Sequence, residues 1–307
     1  MTDSVPTGSI KRKIYFSRIV FKNGENQVNP VDVFTRINSL SYNNDGRYLT
    51  LEDGNIWSMF IDSSSMPLKI RMGTIRKKGL PLVEKRGETS LLELPVDSGL
   101  YEPMHFMIFP NNIVAFEYNF YGPRINNLQH YVRRKAQGIV DSVDIFPLMT
   151  RDVSETISKI GEIKLFRIGV HRDMEAYLAE LDESLPAALE ALKRTSDANY
   201  IEIILRQEKY SRENIALNFL NKLASWLPRA EVQDGVDAMK VKAINNITNR
   251  TQVFDLLQEF LLSEKQVVKI DEIHRSVDSG AMYSAIIGAH SEQQNEINRI
   301  IQDFQPE

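Results

Sequence analysis

A metal-dependent nuclease site could form in the middle of the chain from Glu162, Lys164 and either Asp144 or Asp152. Glu162 and Lys164 alternate at the start of an apolar stretch, which puts both side chains on one face of a predicted strand. Asp144 and Asp152 precede that strand. Two carboxylates and a lysine can hold Mg²⁺ and activate an attacking water. Alternation alone also puts Glu and Lys on a solvent-exposed face, and that simpler interpretation is the favoured one.

A stronger signal is a basic segment at positions 69–86. It contains seven cations and one carboxylate, Glu84, and it is interrupted by Gly73, Gly79 and Pro81. A glycine-punctuated basic hairpin can follow a phosphate backbone and gain affinity by releasing counterions, without reading bases. A solvated charged face is the alternative. The seven cations are Lys69, Arg71, Arg76, Lys77, Lys78, Lys85 and Arg86.

Two smaller basic groups accompany this segment. Arg133 and Arg134 end a predicted helix, where the helix dipole itself favours cations. With Arg124 they could also extend a positive surface. A third group lies where a predicted strand passes into a helix, and it consists of Arg206, Lys209 and Arg212.

Other chemistries find no support in the sequence. The chain has no cysteine, so disulfides, thiolate metal sites and cysteine nucleophiles are excluded. No glycine-rich loop of a phosphate-binding type occurs, and the five histidines lie far apart. No Gly-x-Ser-x-Gly elbow is present, so a Ser-His-Asp hydrolase has no local support. We therefore expect no metal, cofactor or catalytic residue.

Length and charge indicate a globular protein with two unlike halves. The 307 residues are enough for two domains, and no apolar run is long enough to span a bilayer. The N-terminus lacks the apolar core of a secretory signal, so we expect a cytoplasmic protein. Positions 1–150 contain 18 Lys and Arg against 15 Asp and Glu, whereas the remainder contains 19 against 26. The overall charge of −4 therefore hides a positive first half.

The predicted elements give an α+β fold of two domains, at 1–150 and 151–307. Alternating apolar residues predict strands throughout the first half, with a hairpin turn at Asp53-Gly54 and another at Pro110-Asn111-Asn112. Asn29 and Pro30 are typical of a helix start, and positions 125–135 predict a second helix.

The second half is predicted to mix short strands with helices. Helices are expected in "RDMEAYLAEL", "RENIALNFLNKLASWL" and "TQVFDLLQEFLLSE". A long last helix begins after Asp278-Ser279 and runs toward Phe304. Its apolar stripe predicts packing within the chain, against the first domain, or against a second copy.

Two stretches of the chain resemble the RexA-like phage exclusion family, the exclusion sensors of lambdoid prophages. They are "MIFPNNIVAFEYNFYGPRINNLQHYV" and "VDIFPLMTRDVSETISKIGEIKLFRIGV", with an apolar hairpin ending in aromatic-x-Gly-Pro and an apolar residue before Pro-Leu-Met. "KIYFSRIVFKNG" and "EFLLSEKQVVKIDEI" extend the similarity over most of the chain in the same order.

The resemblance implies a homodimeric, non-enzymatic sensor that binds double-stranded DNA without sequence specificity and signals to a membrane-embedded partner encoded nearby. The family's basic strand-to-helix region falls on Arg206, Lys209 and Arg212, although Glu208 and Glu213 weaken its positive charge. A Mg²⁺-dependent nuclease is the alternative. Another is a protein-interaction module that recognises a phage protein through the last helix.

Overall fold

The computed structural model describes residues 8–43, 46–150, 153–171, 174–181, 185–195, 200–207, 222–223 and 225–303. It divides into two compact units. The first comprises residues 1–145 and 262–295, and the second comprises residues 146–261 and 296–307. This differs from a division at 150, because residues 262–295 return to the first unit.

The described elements make a mixed, mainly antiparallel fold. The strands are β1 (Ser9–Asn23), β2 (Asn26–Val28), β3 (Leu49–Thr50), β4 (Ile56–Ser63), β5 (Leu68–Arg76), β6 (Leu82–Lys85), β7 (Glu88–Leu91), β8 (Leu100–Phe109), β9 (Ile113–Glu117), β10 (Ser142–Pro147), β11 (Ile160–His171), β12 (Tyr200–Arg206), β13 (Val236–Asn245), β14 (Thr251–Asp255) and β15 (Leu262–Val268). The helices are α1 (Pro30–Asn38), α2 (Ile125–Lys135), α3 (Val153–Ser158), α4 (Glu175–Leu181), α5 (Leu185–Thr195), α6 (Ala230–Gly235) and α7 (Ser279–Asp303).

A large antiparallel sheet organises the first unit. Its strand order is β10-β1-β9-β8-β5-β4-β3, and β2 and β15 also pair with β1. The predicted β8–β9 hairpin is confirmed: Asn111 and Asn112 take positive φ values of 72° and 59° in its turn. Asparagine tolerates this left-handed region better than most residues, which explains the turn. β3 is an edge strand.

Helices α1 and α2 cover one face of this sheet. α1 begins as predicted, with the Asn29 side chain accepting a hydrogen bond from the Val31 amide at 2.9 Å. Phe34 packs edge-on against Phe21 and Phe106, with ring centroids 5.8 and 6.2 Å apart. The predicted apolar face of α2 is fully buried, and it consists of Ile125, Leu128, Tyr131 and Val132. Burial of these side chains stabilises the unit through the hydrophobic effect.

Helix α7 lies against the opposite face, which confirms the predicted long last helix. His290 stacks on Phe109 with ring centroids 3.7 Å apart, and Tyr283 meets His105 edge-on at 5.5 Å. Met282 and Ile286 are fully buried. This part of the apolar stripe therefore packs within the chain. Phe304 lies outside the described residues.

The second unit contains a four-stranded antiparallel sheet in the order β12-β11-β13-β14. Predicted strands β11 and β12 and predicted helix α4 are present. Buried Trp226 donates a hydrogen bond from Nε1 to the carbonyl of Tyr177 in α4 at 2.9 Å. Most of the helix expected in "RENIALNFLNKLASWL" lies outside the described residues.

One predicted helix is wrong. "TQVFDLLQEFLLSE" forms β14, a 3-10 turn at Leu256–Glu259 and the start of β15. Phe254 pairs with Val241 on β13, and Ser263 pairs with Ile14 on β1. Short apolar runs suit helix and strand alike, so these distant partners decide the outcome. In the part of the chain that the structure describes, no helix has the length and apolar character needed to cross a bilayer.

Candidate functional site

A two-stranded β-ribbon forms the most exposed part of the basic segment. Every residue of β6 and β7 is exposed, and the two strands pair only with each other. Lys85 and Glu88 are the last pair before the turn at Arg86-Gly87. Arg86 has φ 55° and Gly87 has φ 89°, so both turn residues adopt the left-handed region that two-residue hairpins favour. We call residues 82–91 the basic arm.

The root of the arm lies beside the turn between β3 and β4. Lys77 and Lys78 follow β5 directly and are exposed. The Lys78 ammonium nitrogen lies 3.5 Å from the position that a Cβ on Gly54 would occupy. The arm therefore leaves the sheet at its β3 edge.

The C-terminal end of α2 reaches the same edge. Lys135 donates a hydrogen bond from Nζ to the carbonyl of Tyr48 at 2.6 Å, and Tyr48 directly precedes β3. Arg133 and Arg134 on the same helical turn are exposed. β3 is two residues long, so the Lys135 contact at Tyr48 and the Lys78 approach at Gly54 lie at its two ends.

We call the exposed cations of these two groups together the basic edge. Within the described residues, none of its members forms an ion pair. The basic edge consists of Lys77, Lys78, Lys85, Arg86, Arg133 and Arg134.

Three other cations of the predicted surface contact protein groups, and a fourth is half-buried. Arg71 donates two hydrogen bonds to the Asp62 carboxylate, at 2.7 and 2.8 Å. The Arg124 guanidinium lies 4.5 Å above the ring of Tyr118. The ammonium of Lys69 lies 5.9 Å from the ring of Tyr283 on α7, and Arg76 is half-buried at the end of β5.

The strand-to-helix group is only partly described. Arg206 is exposed at the end of β12. Lys209 and Arg212 lie outside the described residues. The basic edge and Arg206 belong to different units.

The candidate nuclease residues are tied to other side chains. Glu162 forms an ion pair with Lys164 on β11. The hydrogen bond from Lys164 lowers the pKa of Glu162. Asp144 pairs with Lys22 at 2.9 Å, and Asp152 lies outside the described residues. Across the described residues, no group of three His, Asp or Glu side chains is placed to hold a metal ion.

The structure also brings together three polar residues that the sequence did not connect. Ser279 Oγ lies 2.8 Å from His105 Nε2, and His105 Nδ1 lies 2.5 Å from Glu117 Oε1. His105 and Glu117 are each 1% exposed, whereas Ser279 is partly exposed. Arg12 Nε lies 3.5 Å from Glu117 Oε2 and balances its charge. We call Ser279, His105 and Glu117 the polar triad.

Only weak sequence signals mark this triad. His105 and Glu117 are 12 residues apart, and Ser279 is 174 residues from His105. The one local feature is Ser279-Gly280 at a predicted helix start. Pairing of Phe106 with Phe116 puts the preceding His105 and the following Glu117 on the same face of the sheet.

A second polar group packs beside the triad under α7. Tyr283 donates a hydrogen bond from its hydroxyl to Asp62 at 2.7 Å. Burial, reinforced by this bond to Asp62, raises the pKa of Tyr283 far above its usual value. Partial burial opposes ionisation of Asp62, but hydrogen bonds from Arg71 and Tyr283 outweigh it and lower the pKa of Asp62.

No protein-family model matches the chain, and no curated protein is significantly similar to it.

Proposed function

We propose that this protein binds double-stranded DNA without sequence specificity through the basic edge of its first unit. The observation that carries the proposal is that exposed cations lie at both ends of strand β3, where Lys78 lies beside Gly54 and the α2 end contacts Tyr48. Both groups present exposed cations, and within the described residues these cations form no ion pairs. Such cations are available to phosphates.

The shape of the arm suits a DNA groove. The major groove, about 12 Å wide, admits a two-stranded β-ribbon. The arm carries Lys85 and Arg86 at its tip. The tip would contact phosphates and gain affinity by counterion release. Such contacts depend on charge and not on base sequence.

Acidic residues near the surface limit its strength. Glu52 and Asp53 lie in the β3–β4 turn, and Glu84 and Glu88 lie on the arm. Glu84 accepts a hydrogen bond from the Gly87 amide at 2.6 Å and so helps to close the turn. Glu84 and Glu88 equal Lys85 and Arg86 in number, and the four carboxylates repel phosphates, so binding at the basic edge should be weak to moderate.

The resemblance to RexA-like exclusion proteins extends the proposal to anti-phage defence. The protein would act as a cytoplasmic homodimer that senses phage nucleoprotein and passes a signal to a membrane-embedded partner encoded nearby. DNA would select one conformation of a two-unit chain, which then engages the partner. Phage plating efficiency on cells that express the basic-edge variants tests this extension, and loss of protection with loss of DNA binding is expected.

Binding to two unrelated duplexes tests the core proposal. The duplexes should be about 30 base pairs, roughly three helical turns. We expect equal affinities for both, and a loss of about tenfold or more at low salt in Lys85→Gln/Arg86→Asn and in Arg133→Gln/Arg134→Gln. Asparagine suits the left-handed turn position of Arg86, so that change removes charge while keeping the hairpin.

A lysine at the other side of the sheet supplies the control. Lys22 is paired with Asp144 at 2.9 Å and belongs to the β10 side of the first unit. Lys22→Gln should leave affinity unchanged. Equal weakening by Lys22→Gln and the basic-edge variants, or absence of any complex with wild type at low salt, would contradict the proposal.

A further inference from the structure

We infer that Ser279, His105 and Glu117 form a catalytic triad that hydrolyses small carboxylic esters by way of an acyl-serine. Ser279 Oγ and His105 Nε2 are 2.8 Å apart, and His105 Nδ1 and Glu117 Oε1 are 2.5 Å apart. These are the nucleophile–base and base–orienter contacts that activate a serine.

The hydrogen bonds assign a role to each atom of the imidazole. Glu117 accepts from Nδ1–H, which leaves the lone pair on Nε2 to accept the Ser279 hydroxyl proton. Glu117 also accepts a hydrogen bond from the His105 backbone amide at 3.0 Å. Two contacts therefore hold the histidine ring and its carboxylate in one orientation. Glu117 acts as a positioning residue.

The fold presents the serine from the start of a long helix. Asp278 precedes α7, accepts the Ala281 amide at 2.8 Å and is anchored through its own amide to the Val268 carbonyl at 3.0 Å. The amides of Ser279 and Gly280 precede the intrahelical hydrogen-bond ladder and lie at the positive end of the helix dipole. The Gly280 amide is suited to stabilise the oxyanion that forms when Ser279 attacks a carbonyl.

Access limits the substrate to small acyl groups. His105 and Glu117 are buried beneath α7. The ring of Tyr283 packs edge-on against the His105 ring, with centroids 5.5 Å apart. Ser279 is partly exposed, while Asp278 and Gly280 on either side are exposed. A substrate can therefore approach the hydroxyl from the solvent side only, with its acyl group small enough to lie over the helix start.

The proposed reaction needs only ester and water. Ser279 Oγ forms a bond to the carbonyl carbon while its proton passes to His105 Nε2. The carbon–oxygen bond to the leaving group then breaks, and the proton passes from His105 to the departing alcohol. Water attacks the acyl-serine and gives its proton to His105, which returns it to Ser279 Oγ as the carboxylic acid leaves.

Covalent labelling of the full chain tests the triad. A fluorophosphonate probe followed by mass spectrometry should modify Ser279 in the wild type, and p-nitrophenyl acetate should be hydrolysed. Ser279→Ala should abolish labelling and lower hydrolysis about 100-fold or more, as should His105→Gln. Glu117→Gln should lower the rate while leaving Ser279 in place.

A second serine on the same helix is the matched control. Ser284 is exposed, and its hydroxyl donates to the Gly280 carbonyl at 2.9 Å. Ser284→Ala should retain full labelling and hydrolysis. Thermal unfolding of each variant separates loss of activity from loss of the fold. Absence of labelling in the folded wild type, or labelling that persists in folded Ser279→Ala, overturns the inference and leaves the triad as a polar anchor for α7. Neither probe labelling nor ester hydrolysis depends on DNA binding, so this inference and the proposed function are tested separately.

Discussion

The Lys78 ammonium nitrogen lies 3.5 Å from the point at which a Cβ on Gly54 would stand. Gly54 closes the β3–β4 hairpin with φ 82°, a conformation that costs glycine little. A Cβ at this distance would make ordinary van der Waals contact with the Lys78 side chain, so the positive φ, and not a lack of space, is what favours glycine at this position. The root of the arm thus lies near the end of β3 opposite to Tyr48, which Lys135 of α2 contacts.

Substitution of Gly54 should destabilise the first unit. Gly54→Ala puts a residue with a Cβ into the left-handed region, and we expect a loss of about 1 kcal/mol in the free energy of unfolding. Gly288 in α7 is the contrast, because a Cβ added there would meet open space, with no tertiary neighbour within 4 Å. Gly288→Ala should stabilise by about 0.5–1 kcal/mol. Urea denaturation measures the free energy of unfolding of both variants. Equal changes of the same sign would contradict the different roles assigned to Gly54 and Gly288.

Removal of an acidic charge beside the basic edge should strengthen DNA binding. Glu52 is exposed in the β3–β4 turn. Glu52→Gln should raise affinity about two- to fivefold at low salt, and the gain should shrink at high salt as screening increases. Glu25 lies in the exposed β1–β2 turn and serves as control, since Glu25→Gln should have no effect. Fluorescence anisotropy with labelled duplex gives both values.

Asp62 should contribute stability that is lost in acid. Its pKa is held below the usual value, so its contribution is present above the unfolded pKa near 3.9 and disappears as pH falls through the lower folded pKa. Asp62→Asn should cost about 1–2 kcal/mol at neutral pH, because Arg71 and Tyr283 lose a charged acceptor. The difference from wild type should shrink below about pH 4.

Chemical denaturation at a series of pH values measures this difference. Glu93 is exposed and supplies the control. Glu93→Gln should be neutral at every pH. A deficit of Asp62→Asn that stays constant down to low pH would contradict the assigned role of its charge.

His290 should make the first unit sensitive to mild acid. Burial lowers the pKa of His290, so the unfolded chain binds its proton first as pH falls below about 6.5. Stability should therefore decline between neutral pH and the lower folded pKa. His290→Phe keeps a ring against Phe109 and should flatten this decline. If stability declines with falling pH as steeply in His290→Phe as in the wild type, other groups cause the decline.

Local patterns predicted most elements of the first unit. The Asn29 cap, the turn at Asn111 and the buried face of α2 each depend on neighbouring residues, and each occurs as predicted. The helix prediction for residues 251–264 is wrong because an apolar run of this length fits a helix or a strand. Pairing with the distant strands β13 and β1 determines that it forms strands.

The candidate sites depended even more on distant contacts. Composition identified the basic segment, but it could not show that Arg71 faces Asp62 while Lys85 and Arg86 stand on an exposed arm. The polar triad joins β8, β9 and the start of α7. No sequence spacing encodes that meeting, because the pairing of β15 with β1, far apart in the chain, brings the chain back to the sheet just before α7.

The salt dependence of DNA binding by the arm variant tests the central claim most directly. The slope of log K against log salt should be measured between about 50 and 200 mM for the wild type, Lys85→Gln/Arg86→Asn and the control Lys22→Gln. Loss of two phosphate contacts should reduce the magnitude of the slope by about 2, while the control keeps the wild-type slope. A slope identical in all three proteins would contradict DNA binding through the basic arm.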